Sequence, residues 1–281
     1  MPLWYDEVHE DKLRFGLRCE RTLFMGESAF QKIAVIETTA FGRALLLDEM
    51  WMTSEADEYI YHELIAHTAL AVAPSIRRVL IIGGGDGGTA REVLTHPEVE
   101  HVDLIEIDAM VVAASREHLP TIGTAWNDPR LHVTIGDGIA YVREASVAPY
   151  DIVIVDGSDP VGPAVGLFDA SFYAGCKRVL GPRGVFITQS ESPIVNKDVH
   201  LAMIRTIAAT FGEAHPLYAT VPLYPSGSWS WTWASNGGSV DRFAVVAERA
   251  ARIEAHSKYW TREMQRATFA LPNHIKMALG R

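Results

Sequence analysis

The segment that most constrains the fold is Val79-Leu80-Ile81-Ile82 running directly into Gly83-Gly84-Gly85-Asp86-Gly87-Gly88. Consecutive apolar residues of this length read as a strand buried on both faces. The glycines after it allow a tight turn and a close backbone approach to a ligand at the start of a helix. Such a loop alone marks only a strand-to-helix turn, but here its surroundings add meaning. A helix is predicted over Thr89–Leu94, and the next strand, Val102–Ile107, carries Glu106 near its end. In dinucleotide-binding folds an acid about twenty residues past the glycine loop takes the ribose hydroxyls. The combination predicts a nucleoside site.

The same alternation continues along the chain. After Val102–Ile107 come a helix at Ala109–His118, a strand at Leu131–Ile135, a helix at Gly138–Glu144, a strand at Tyr150–Val155, a helix at Ser171–Leu180 and a strand at Gly184–Thr188. Apolar strands separated by helices predict an α/β, Rossmann-like, mostly parallel sheet with helices on both faces. Ahead of it, residues 1–58 read as a small β-rich domain of meander or hairpin type. Arg14 to Phe24 is a stretch broken by glycine, Gln31–Glu37 alternates as a half-buried strand does, and Phe41-Gly42-Arg43 turns into Ala44–Asp48. The catalytic domain is predicted over 59–281. It opens on a helix at Tyr59–Val72, with Ile60, Glu63, Leu64 and His67 at helical spacing. A further helix is predicted at Arg242–Ala255, and Pro272 limits any last helix to the residues after it. Trp229, Trp231 and Trp233 alternate along a strand, as a packed sheet face would have them.

Charge and composition narrow the function classes. The 281 residues are 48% hydrophobic, enough for a large core. The formal net charge of −10 argues against nucleic acid as partner, because phosphate binding needs clustered Lys and Arg. Cys19 and Cys176 form no CxxC pair, which fits a reducing, cytoplasmic setting and offers no zinc framework. The start of the chain lacks a basic region followed by an apolar stretch, so no signal peptide is expected, and no apolar run approaches the roughly 20 residues of a membrane helix.

Asp86 selects among nucleosides. A pyrophosphate would be repelled by a carboxylate in the loop, whereas a cationic sulfonium nucleoside bearing a free amine would be attracted. Asp137-Gly138, just past the third strand, is placed to cover the adenine end, and Asp137 doubles as a helix N-cap. The fourth strand ends in Asp156-Gly157-Ser158-Asp159-Pro160-Val161-Gly162-Pro163, so two carboxylates face the crevice at the carboxyl ends of the strands. Glu55-Ala56-Asp57-Glu58-Tyr59-Ile60-Tyr61-His62-Glu63, at the junction of the two domains, adds four carboxylates and no Lys or Arg.

At these residues the chain resembles the aminopropyltransferase family, and within it most closely the bacterial spermidine synthases. The matching stretches are Gln31-Lys32-Ile33, Asp57 to Glu63, Gly83 to Gly87, Glu106-Ile107-Asp108, Asp137-Gly138, Asp156 to Pro163, Gln189 to Pro193, Tyr224 to Gly227 and Phe269 to Pro272. They fall in the family's order over nearly the whole chain. The resemblance implies a class I methyltransferase-type fold and a homodimer or homotetramer. It also implies transfer of the aminopropyl group of decarboxylated S-adenosylmethionine to putrescine, giving spermidine and methylthioadenosine. The donor is a co-substrate, so no separate cofactor is expected. A sulfonium is a strong leaving group, so no metal is expected either. The attacking amine is protonated in water and must lose a proton first. By motif position Asp156 is the expected base and Tyr61 its helper. Asp159 holds the diamine, and Asp86 binds the donor's ammonium or the acceptor. His62, Gln189 and Tyr224 lie along the cleft. Gln31, Gly83, Gly85, Glu106, Asp137, Gly138 and Pro163 line the nucleoside.

The chain departs from the family pattern at Gly157, where Ser, Thr or Cys is usual, at Leu223, where threonine is common, and at Met52, which replaces a frequent glutamine. These departures bear on the acceptor, for which cadaverine, agmatine and spermidine are the alternatives to putrescine. A small-molecule methyltransferase is the competing reading, since it shares the glycine loop. Ile81, where methyltransferases often carry an acid, and the paired aspartates 156 and 159 weigh against it. A non-catalytic polyamine-binding scaffold is the third reading, and the complete Asp156–Pro163 loop weighs against that.

Overall fold

The structure, a computed structural model, describes residues 3–9, 11, 13–144, 148–159 and 166–280. Strands β1 (Leu3–His9), β2 (Leu13–Glu27), β3 (Lys32–Thr38), β4 (Gly42–Leu47) and β5 (Met50–Ser54) form an antiparallel sheet in sequence order. The break expected at glycine does not occur. Gly16 pairs with Asp6 of β1, and β2 absorbs its irregularity in register shifts at Cys19/Arg21 and Thr22/Phe24 instead. Nor is β3 half-buried. Ala34 and Ile36 join the cluster holding Leu64 and Ile65, while Ile33 and Val35 pack with Val111, Ala114 and Leu119. The alternation in sequence therefore marks two apolar neighbours rather than one apolar and one wet face.

The second sheet is built from β6 (Arg78–Gly83), β7 (His101–Glu106), β8 (Leu131–Ile135), β9 (Tyr150–Asp156), β10 (Leu180–Gln189), β11 (His215–Thr220) and β12 (Ser228–Ser235). Their order is β11-β12-β10-β9-β6-β7-β8. β6 to β10 run parallel, and β12 is antiparallel to both of its neighbours. The helices are α1 (Glu58–Leu70), α2 (Gly88–Leu94), α3 (Ala109–His118), α4 (Gly138–Glu144), α5 (Ala170–Val179), α6 (Lys197–Phe211), α7 (Ala247–His256), α8 (Arg262–Ala267) and α9 (Asn273–Leu279). This is the expected mostly parallel α/β sheet behind a β-rich unit. The tryptophans of β12 are buried in its core, as a packed face requires.

From β6 the chain winds outward through β7 and β8, then returns to β9 on the other side. Ligands in open α/β sheets bind at such a switch point, beyond the carboxyl ends of the strands. The register sets Gly83 opposite Asp156, and the Gly84 N–H donates to the Asp156 carbonyl at 2.8 Å. Gly83 has φ +82°, and a Cβ there would lie 2.1 Å from that carbonyl oxygen. Only glycine lets the two strand ends meet this closely.

Nearly every residue of α1 is buried, including Glu58, His62, Glu63 and His67. Buried charged groups need partners, and α1 finds them in α2 and in the C-terminal segment. Glu63 accepts the backbone N–H groups of Lys258, Tyr259 and Trp260 at 2.7, 2.8 and 2.8 Å. His67 and Arg91 meet Glu92. The helix expected from Arg242 begins only at Ala247. Asp241 accepts the Phe243 N–H in a local turn, and the Val246 N–H is held by the Ala71 carbonyl at 2.8 Å with Val246 itself extended, so the helix starts only after it. No helix among the described residues is long and apolar enough to cross a membrane.

Candidate active site

A cavity opens at the switch point, between the carboxyl ends of β6, β7 and β9 and the inner face of the β-rich sheet. Of the residues singled out in the sequence, Gln31, Tyr61, His62, Gly83, Gly85, Asp86, Glu106, Asp137, Gly138, Asp156, Asp159 and Tyr224 line it. Gln189 does not. It is buried beneath the loop, with its Nε2 3.1 Å from Glu191 Oε1 and its Oε1 accepting the Glu191 N–H, because the turn after β10 points it back into the protein. Pro163 lies outside the described residues.

One end of the cavity is built from β7 and the β2–β3 turn. Glu106 Oε1 accepts the Asp108 N–H at 3.0 Å. Gln31 Nε2 donates to Asp108 Oδ2 at 3.0 Å, beside the Ser28 hydroxyl at 2.7 Å. Asp137 Oδ1 accepts the N–H groups of Ile139 and Ala140, so it caps α4 while lining the cavity. Burial pushes the Glu106 carboxyl up to about 7, with the charges of Asp108 and Asp156 adding to it and the Asp108 N–H pulling the other way.

At the other end three polar groups converge. Asp156 Oδ1 accepts the Tyr61 hydroxyl at 2.7 Å, and Oδ2 accepts the Thr89 hydroxyl at 2.7 Å. Asp86 Oδ1 accepts the Gly88 N–H at 2.8 Å, and its Oδ2 lies 3.2 Å from His62 Nε2. One atom each from His62, Asp86 and Asp156 falls within 4.8 Å of the others. The two carboxyls are driven apart in acidity. Burial and then the nearby Asp86 charge push Asp156 above the ordinary carboxylate range. Burial acts on Asp86 in the same sense, but His62 outweighs it and holds Asp86 below that range. The pair thus sets a carboxyl that ionises readily beside one that holds its proton more tightly.

Past Asp156 the cavity continues into a second one. Met50, Met52, Tyr61, Gly157, Ser158, Asp159 and Tyr224 line both. The far part adds Glu7, His9, Trp51, Asn196 and Trp229. Asp159 is raised well above the usual range by burial, then by the charges of Glu191 and Glu7. Glu191 is fully buried and held by Asn196 at 2.7 Å. Glu7 accepts the Trp51 N–H at 2.9 Å. The two cavities therefore adjoin at a waist where Met50, Met52 and Tyr224 supply apolar surface, with carboxyls on either side of it. Glu7, Thr89 and Glu191 escape a sequence reading. Glu191 lies inside the Gln189–Pro193 stretch and Thr89 directly after the glycine loop, but nothing local in β1 distinguishes Glu7 from its neighbours.

Tyr224 reaches the waist because its loop is tied down. Asp57 Oδ2 accepts the Leu223 N–H at 2.8 Å while Oδ1 accepts the Ser54 hydroxyl at 2.6 Å, and the Tyr224 hydroxyl donates to the Met52 carbonyl at 2.8 Å. A backbone N–H makes this bond, so it needs no hydroxyl at 223, and the leucine side chain there is buried in the core instead.

Two family models match the chain, the spermine/spermidine synthase domain over residues 58–243 and the spermidine synthase tetramerisation domain over residues 3–55. The chain is 48% identical to a polyamine aminopropyltransferase of Prochlorococcus marinus strain MIT 9313, over 98% of this chain and 96% of that protein. It is 44% identical to one of Desulforudis audaxviator, over 98% of each. Among solved structures, a spermidine synthase in complex with the transition-state analogue AdoDATO superposes with a TM-score of 0.95 at 35% identity, covering 100% of this chain and 97% of that one. A spermidine synthase from Thermotoga maritima gives 0.93 at 35% identity, covering 100% and 96%.

Proposed function

The chain belongs to the spermine/spermidine synthase family of polyamine aminopropyltransferases, and from that premise we propose that it transfers the aminopropyl group of decarboxylated S-adenosylmethionine to putrescine, with Asp156 as the base. The observation that carries this reading is the run of carboxyls along one channel. Asp86 and Asp156 stand at the junction of the nucleoside cavity with the waist, Asp159 lines both cavities, and Glu7 lies at the far end, with the buried Glu191 behind the wall and near enough to act on Asp159. A diamine needs an anionic site for the ammonium that stays charged and a proton acceptor for the amine that reacts. The waist between them, lined by Met50, Met52 and Tyr224, suits an alkyl chain.

The nucleoside lies against Glu106, Gln31 and Asp137, with Glu106 accepting from the ribose hydroxyls. The donor's own ammonium faces Asp86, where an ordinary S-adenosylmethionine carboxylate would be repelled. The acceptor amine gives a proton to Asp156. Its lone pair then attacks the carbon next to sulfur, the carbon–sulfur bond breaks, and neutral methylthioadenosine leaves. Holding both reactants in line supplies proximity, and the sulfonium supplies the leaving group. No cofactor or metal is needed for this step. The tetramerisation-domain match supports a homo-oligomer formed through the β-rich sheet, whose Leu3, Trp4 and Met25 are exposed. Light scattering showing a monomer would remove that part of the reading.

The acceptor is tested by incubating the protein and donor with putrescine, cadaverine, agmatine and spermidine in competition, followed by mass analysis. Spermidine as the dominant product is expected. Preferential extension of a longer amine would shift the acceptor while leaving the transfer chemistry intact.

A further inference from the structure

We propose that Glu58, clamped by Arg91, is a positioning residue that acts through His62 to hold Asp86 as a fixed, ionised partner for the substrate ammonium. The proposal rests on the reading of Asp86 as an ammonium site. It starts from an unusual placement, in which the His62 ring has a carboxylate at each nitrogen. Nδ1 lies 2.6 Å from Glu58 Oε2, one turn earlier on α1, and Nε2 lies 3.2 Å from Asp86 Oδ2. A neutral imidazole has one N–H and serves one such partner. Only the imidazolium donates to both.

The ring has no freedom to swing away. A Cβ at Gly88 would fall 2.2 Å from His62 Cε1, so the start of α2 lies flat against the imidazole, and its glycine is required there. Tyr61 meets the other side edge-on, with centroids 5.4 Å apart. Glu58 is equally fixed. Arg91 of α2 donates to Glu58 Oε1 at 3.0 Å and to Oε2 at 2.7 Å, a two-pronged grip that leaves no rotational slack. Arg91 also donates to Glu92 and to the Ile122 carbonyl. The order Arg91, Glu58, His62, Asp86 is thus an alternating chain of charges ending at the cavity wall.

The charged and titratable groups facing His62 are Glu58 and Tyr61 from α1, Asp86 from the glycine loop and Asp156 from β9, with Arg91 and Glu92 of α2 behind Glu58. Burial opposes the imidazolium most strongly, but Asp86 and then Glu58 outweigh it and hold the ring well above the ordinary histidine range. Without Glu58 the ring loses one of its two anions. It then releases its proton more readily, Asp86 loses its cation, and the adjacent carboxyls of Asp86 and Asp156 are left to compete for one proton.

The test has two arms. In the unliganded protein, 15N NMR of His62, assigned by difference with His62→Gln, is expected to show both ring nitrogens protonated at neutral pH and above. Glu58→Gln, which keeps the shape and a hydrogen-bonding group, is expected to lower the pH at which His62 gives up its proton, because one of the two anions that hold the imidazolium is gone. In activity, the ratio of wild-type to Glu58→Gln kcat/KM is expected to widen roughly tenfold per pH unit once pH exceeds the point at which the variant's His62 loses its proton in the NMR series. A defect of packing alone would lower the profile by one factor at all pH values. Arg91→Lys, which keeps the charge and loses the two-pronged grip, shifts both readouts in the same direction and less far, and it stands in if Glu58→Gln does not fold. A neutral His62 in the unsubstituted protein, or a Glu58→Gln profile parallel to the wild type, overturns the proposal. Absence of aminopropyl transfer in the wild type would instead overturn the substrate assignment, and the NMR arm would still decide the role of Glu58.

Discussion

The Tyr61 hydroxyl donates to Asp156 Oδ1 at 2.7 Å, across the junction between the first helix after the β-rich sheet and the end of the fourth parallel strand. The contact stabilises the ionised carboxyl, while burial and the Asp86 charge work against it. Asp156→Asn keeps the shape and removes the base. Its kcat is expected to fall by roughly 10²–10⁴ while binding of the nucleoside product is retained. Steady-state kinetics with product-binding calorimetry separates the two.

Tyr61→Phe is expected to cost about tenfold in kcat/KM, the worth of one hydrogen bond to a charged group. It also moves the pH profile. The base must be ionised, so activity falls as pH drops through the raised Asp156 value. The Tyr61 bond lowers that value. Removing it shifts the acid limb further toward neutral, which a pH series of kcat/KM reads directly.

Glu106 makes nucleoside binding pH-dependent. Its carboxyl sits at about 7 in the unliganded protein, raised from 4.5. The stability it contributes is complete below the unfolded value and is lost as pH rises through about 7. The ionised form is the acceptor that ribose hydroxyls need, so affinity for methylthioadenosine is expected to weaken as pH falls below that value. Calorimetry there, in two buffers of different ionisation enthalpy, should detect a proton released on binding. Glu106→Gln should bind more weakly and lose the pH dependence.

Glu63 and Asp57 are carboxylates of the same acidic stretch with structural work to do. Glu63→Ala leaves three backbone N–H groups without an acceptor and is expected to cost about 2–3 kcal/mol in chemical unfolding. Asp57→Ala frees the Leu223 N–H and is expected to cost about 1–3 kcal/mol. It should also raise KM for the amine more than for the donor, because Tyr224 follows the loop that Asp57 holds.

The parallel sheet and the nucleoside end were legible because both are local. An apolar strand, a glycine loop and the acid closing the next strand lie within a few tens of residues of one another. The register of β6 on β9 then brings Gly83 to Asp156 without further information. The far part of the channel was not legible, because the carboxyls in its wall and behind it come from separate elements. Glu7 stands on the first strand, Asp159 after β9 and Glu191 after β10. Likewise Asp57 meets Leu223 across 166 positions, and Glu58 meets Arg91 across 33. A motif also says nothing of side-chain direction. Gln189 lies within the matching segment, yet the turn after β10 leaves it behind the loop it supports. α6 and β11 carry apolar patterns of ordinary kind, which single out no element by themselves.

The most direct test of the account follows two labels at once. The protein is incubated with putrescine and an equimolar mixture of methyl-labelled S-adenosylmethionine and aminopropyl-labelled decarboxylated S-adenosylmethionine, and the products are separated by mass. The account predicts label in spermidine from the decarboxylated donor, stoichiometric methylthioadenosine and no methylated amine. Methyl transfer from S-adenosylmethionine, with the decarboxylated donor left intact, would contradict it.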